Sequence, residues 1–160
     1  MRNLLQLLYI GCCFYSCKNA DRNQQQNTDE VKQHLLSLEN KWLQYEFALD
    51  TASISPLLDS TFISISATGT SNKQMELEGI YKNISTMRAD SIFIDSFKLE
   101  GPFIVNQFDN TAIVVFICHT YKTAKGKHEE KRTKFYDVWR NVNEQWKAVS
   151  SQGTVVEEIK

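Results

Sequence analysis

His119, Tyr121, Tyr136, Asp137 and Gln152 are the side chains of this 160-residue chain whose types and order could support proton transfer. A histidine or carboxylate can accept a proton from a reacting group and a tyrosine can donate one, provided both aim at one spot. Along Thr111–Thr123, alternation puts Ile113, Val115, Ile117, His119 and Tyr121 on one side and Val114, Phe116, Cys118 and Thr120 on the other. Both sides are apolar, so periodicity leaves open which one faces a core. If the histidine side faces inward, His119 and Tyr121 can meet Tyr136 or Asp137 from the next strand and Gln152 from the last. If it faces outward, His119 sits at a strand end, partly solvated and hydrogen-bonded to a neighbour. Asp137 beside Trp139 also reads as a structural polar group, and Asp50 as the cap of a short helix.

Other chemistries find less support. His34, His119 and His128 fall on a helix, a strand and a turn, so no metal site is expected. Cys118 and His119 are strand neighbours pointing to opposite faces, which excludes a nucleophile and base pair. The six glycines are isolated, and none has the spacing of a phosphate-cradling loop. No cofactor is expected. The formal net charge is −1, with 18 basic and 19 acidic residues, which argues against a nucleic-acid partner. Lys122, Lys125, Lys127, Lys131, Arg132 and Lys134 make one hairpin basic, but Glu129 and Glu130 interrupt it, as on a solvated hairpin. Cys12, Cys13 and Cys17 crowd near the amino terminus and only Cys118 lies further on, so there is no disulfide framework.

The elements that must position these groups are legible in the spacing. Thr28, with Asp29 and Glu30 behind it, predicts a helix start. Val31, Leu35, Leu38, Trp42 and Tyr45 recur at helical intervals to the end of one long amphipathic helix. Ile54, Leu57 and Leu58 suggest a short helical piece around Pro56, and Thr61–Ser66 alternates as a half-buried strand. Ser71 and Gln74 have capping-box spacing ahead of a second main helix that runs to about Met87. From Ser91 onward strands alternate with turns, predicting an antiparallel meander and an α+β fold.

Ahead of the domain, Arg2 and the twelve-residue apolar run Leu4–Tyr15 read as a signal peptide over residues 1–16. Ser16-Cys17-Lys18 resembles a bacterial lipoprotein signal, which makes Cys17 the lipidated first mature residue, with Cys12 the alternative. Residues 17–27, with three consecutive glutamines, then form a flexible tether, and residues 28–160 the domain. The expected location is the cell envelope, lipid-anchored at the outer membrane and facing the periplasm.

Leu38-Glu39, Trp42, Asp50, Leu57-Leu58, Phe62, Gly69 and Lys73 belong to one pattern with Tyr136-Asp137-Val138-Trp139, Trp146-Lys147-Ala148-Val149 and Gln152 to Thr154. Together they resemble the nuclear transport factor 2-like superfamily, in its bacterial SnoaL-like and uncharacterised branches, over residues 31–156. The resemblance implies a cone: a strongly bent antiparallel sheet wrapped on the long first helix, with a pocket at the wide end. Its members include ketosteroid isomerase, polyketide cyclases, dehydratases, and domains that bind or dimerise without known chemistry, so the fold leaves function open. Two departures are Tyr45, which would partly fill the cone, and Asn143-Glu144 in place of the usual Asp-Gly turn. Trp42, Tyr45, Tyr121, Trp139 and Gln152 are the candidate pocket residues. With no convergent catalytic motif, binding of a small apolar molecule or homodimerisation is expected before acid and base catalysis by His119, Tyr136 or Asp137.

Overall fold

The computed structural model describes the backbone of residues 13–159 and the side chains of residues 29–159. The expected signal peptide falls mostly outside the described residues, and so does the Cys17 side chain. Two compact units are distinguished, and everything that follows concerns the second, Leu35–Lys160, except the course of the first helix.

That helix, α1, runs Cys13–Ala48. Residues 17–27, expected as a tether, are helical here; no glycine or proline interrupts them, and glutamine is a fair helix former. Within the second unit, Leu35, Leu38, Glu39, Trp42 and Leu43 are buried at spacings of three and four, one stripe of the helix turned to the core. Leu49 turns left-handed at φ 65° and ends the helix. Asp50 then caps α2 (Thr51–Ile54), its Oδ1 accepting the Ser53 amide at 3.0 Å, the structural role expected of it.

A 3₁₀ turn over Ser55–Leu57 leads into β1 (Leu58–Ser66), which folds back through β2 (Gly69–Asn72) into α3 (Lys73–Ala89). The α3 cap is Asn72, whose Oδ1 accepts the Met75 amide at 3.0 Å, and not Ser71. Ser71 and Asn72 pair with Ser64 and Ile63 in the β1–β2 ladder, so the helix starts only where that ladder ends, after Asn72.

Four long strands complete the chain: β3 (Ile92–Phe108), β4 (Thr111–Ala124), β5 (Lys127–Val142) and β6 (Gln145–Ile159). They form the expected antiparallel meander. The sheet order is β2-β1-β6-β5-β4-β3, with β1 parallel to β6. That one parallel pairing joins elements at opposite ends of the domain, which no local pattern announces.

Register assigns the faces. Phe116 lies opposite Phe135, Val114 opposite Asp137, and Ala112 opposite Trp139, all on the side packed against the helices. The core centres on Trp42, which meets Phe62 and Trp139 edge-on at centroid distances of 5.8 and 6.2 Å.

Candidate functional site

The inner face carries Asp137, one of the residues suggested by type, together with Glu39 and Glu46 of α1, which side-chain type alone did not mark as site residues. Glu39 and Asp137 are almost fully buried, at 1% and 2% exposure, and face each other across the core. Trp139 Nε1 donates to Glu39 Oε1 at 2.5 Å. Burial raises the pKa of Glu39 well above the carboxylate range, and the Asp137 charge adds to this. Burial likewise raises Asp137, against the pull of the Ser151 hydroxyl, Glu39 and the Gln152 amide. A proton shared between the two carboxyls supplies the hydrogen bond that two carboxylates cannot make. Asp137 Oδ1 remains without a hydrogen-bond partner.

Two turns further along α1, Glu46 is half-buried, and desolvation raises its pKa to about 7. Glu76 and Asp137 push in the same direction, and Lys131 pulls the other way. Glu46 lines two adjoining cavities. The first, about 360 Å³, has an apolar wall including Leu43, Phe47, Ile84, Met87 and Ile92, faced by Cys118, Thr120, Lys131 and Thr133 of β4 and β5. The second, about 340 Å³, lies toward β1 and α3 and is lined by Ser64, Glu76, Ser151 and Gly153 among others. Both share Glu46, Asn83, Ile84 and Phe135. Gly153 keeps this wall flat: a Cβ there would stand 3.1 Å from the Phe135 ring and push it out of place.

The residues first suggested by type are distributed over both faces. His119 and Tyr121 lie on the outer face of β4, and Tyr136 on the outer face of β5, opposite Val115 and Gln152. Asp137 is on the inner face, so the sheet itself separates it from His119 and Tyr136. His119 is only 3% exposed: its Nδ1 is 3.1 Å from Glu100 Oε1 and its Nε2 2.9 Å from Glu130 Oε2, while the Tyr121 ring stacks on it. Lys98, the nearest strong influence, and His119 hold the Glu100 pKa down at about 2. Of the five candidate pocket residues, Trp42 and Trp139 are core, Tyr45 is half-buried on α1, and Tyr121 and Gln152 are outside; none lines the two cavities. Cys118 does line the first, with burial pushing its thiol up to about 12, so it is no ready nucleophile.

Glu39 and Glu46 share the stripe of Leu35, Trp42 and Leu43, and acidic residues on an apolar helix face are the signal that could have marked them. Lys131 was hidden within a hairpin that reads as solvated. No group of three or more histidine, cysteine or acidic side chains is placed to hold a metal among the described residues. No described helix is long and apolar enough to cross a membrane, which says nothing of a β-barrel.

No family model and no curated protein matches the chain. Solved structures do resemble it. A nuclear transport factor 2-like protein with a cystatin-like fold from Novosphingobium aromaticivorans superposes with TM-score 0.67 at 15% identity, covering 87% of this chain and 88% of that one. A proposed scytalone dehydratase from the same organism gives 0.65 at 10% identity, with 83% and 89% covered. The CaMKII hub of S. rosetta gives 0.60 at 18% identity, with 76% and 94% covered. The fold is therefore nuclear transport factor 2-like, an α+β cone built on one long helix. Proteins of this fold include both enzymes and binding or association domains.

Proposed function

We propose that this is an envelope-anchored domain that binds one small, mostly apolar molecule in its cone. The observation that carries the reading is the 360 Å³ cavity, lined by apolar side chains of α1, α3 and β3 together with the Glu46 carboxyl, which is the usual makeup of a small-molecule site. Native mass spectrometry of the full chain, purified from bacterial membranes, tests it. A reproducible extra mass of a few hundred daltons is expected; a clean protein mass, together with no binding of any apolar probe, would sink the idea. Anchoring rests on the lipoprotein-like Ser16-Cys17. Metabolic labelling with a palmitate analogue should mark the wild type and not Cys17→Ala, and label surviving that change would move the anchor to Cys12.

A second reading is acid and base catalysis at the same site. It is favoured by Glu46, whose pKa near 7 suits proton transfer at neutral pH. Glu46→Gln should then abolish turnover of a bound substrate while leaving its binding intact. Homodimerisation is favoured by Ile63, Ile65 and Tyr136, which are 47%, 44% and 48% exposed on the outer face of the sheet. It predicts concentration-dependent sedimentation, weakened by Tyr136→Lys.

A further inference from the structure

Cationic groups at the first cavity are not equally engaged. Lys122 is held by Glu129 Oε2 at 3.0 Å and Glu158 Oε1 at 3.3 Å. Lys131 lies directly across the β5–β6 ladder from Glu158 and beside Thr120, on the inner face. Yet no carboxylate stands within ion-pair distance of its ammonium among the described residues. Lys131 acts electrostatically on Glu46 and Cys118, groups whose pKa values burial raises to about 7 and about 12. A cation on a cavity wall without an ion-pair partner favours an anionic guest. Next to it stands the Thr133 hydroxyl, and across the cavity the apolar wall formed by α1, α3 and β3.

We propose that the guest is a monocarboxylate, its chain against Leu43, Phe47, Ile84 and Met87 and its carboxylate on Lys131, with Glu46 as a hydrogen-bond donor to the second oxygen. The cavity volume of about 360 Å³ lies in the usual range of small-molecule sites, so a medium-chain acid such as octanoate is a fitting probe. This identification rests on the pocket reading above. It adds the head group, which the cavity's shape alone leaves open.

The acid form of Glu46 is what can donate, so binding should weaken as pH rises above about 7. The charged and titratable groups around Glu46 are Glu76 from α3, Cys118 and Lys122 from β4, Asp137 and Lys131 from β5, and Glu158 from β6. The Glu76 and Asp137 carboxyls reinforce the trend, since both act to raise the pKa of Glu46.

Isothermal titration of the full chain with sodium octanoate and with 1-octanol, which differ only in the head group, tests the proposal. Octanoate should bind at least about tenfold more tightly than octanol, the usual worth of one hydrogen bond to a charged group. Lys131→Met should remove that preference while keeping octanol binding, and Lys134→Met, on the outer face opposite Ile117, should retain it. Glu46→Gln should flatten the pH dependence. Equal affinities in the wild type, or a preference that survives Lys131→Met, would overturn the carboxylate assignment and leave the pocket standing. Binding of neither probe would overturn both.

Discussion

Trp139 and Glu39, one hundred positions apart in sequence, are joined by an indole-to-carboxyl hydrogen bond of 2.5 Å at the centre of the core. The bond ties α1 to β5 and satisfies one oxygen of an acid that has no access to water. Trp139→Phe keeps most of the ring and removes the donor, which leaves a buried acceptor unsatisfied. Urea denaturation should show a loss of about 1.5–3 kcal/mol. Glu39→Gln keeps an acceptor for the indole and removes the repulsion with Asp137, so it should cost much less at pH 8. A larger loss for Glu39→Gln than for Trp139→Phe would contradict this account.

Stability should fall as pH rises from about 4.5 toward 7. Glu46 has its folded pKa raised from 4.5 to about 7 by burial, and Glu39 and Asp137 are raised too. In that window the folded state holds protons that the unfolded chain has released, so each such group lowers stability by up to about 1.4 kcal/mol per pH unit. Glu46→Gln should reduce the slope by up to one proton's worth. Asp59 acts in the opposite sense: backbone and side-chain donors of Thr61, aided by Arg140, hold its pKa at about 2. Its contribution is present above the usual aspartate range and lost on acidification toward pH 2. A flat profile between pH 4.5 and 7 would show that these carboxyls are better solvated than the geometry indicates.

Asn143 and Glu144 form the β5–β6 turn with φ of 51° and 64°, a left-handed pair that favours asparagine and glycine. Glutamate in that region carries a cost of about 1–2 kcal/mol, against roughly 0.5–1 kcal/mol for glycine's greater unfolded freedom. Glu144→Gly should therefore raise stability by about 0.5–1 kcal/mol, measured by thermal and urea unfolding. A decrease would mean that the side chain makes a compensating contact.

Asn72 caps α3 through a single side-chain bond to the Met75 amide. Asn72→Ala should cost about 1 kcal/mol, and Asn72→Asp should restore it, since aspartate caps equally well and favours the helix dipole. Failure of aspartate to rescue would assign the loss to the β2 ladder instead.

The sequence alone determined the main elements and the order in which they run, though not the short strand β2 or the helical course of residues 17–27. Three- and four-residue spacing marked α1 and α3, while turn residues separated the meander strands, because both patterns arise from neighbours in the chain. It also marked the resemblance to the nuclear transport factor 2-like superfamily, and solved structures of that fold superpose on this one. What it could not decide was which face of each strand turns inward, because β4 is apolar on both sides and a strand buried on both faces has no polar alternation to read. Only the parallel pairing of β1 with β6 and the packing of α1 and α3 over the sheet assign Asp137, Thr120 and Lys131 to the inside and His119, Tyr136 and Gln152 to the outside. The proposed site accordingly centres not on the histidine that its side-chain type made conspicuous but on Glu46. That carboxyl is chemically ordinary until the tertiary structure removes the water around it.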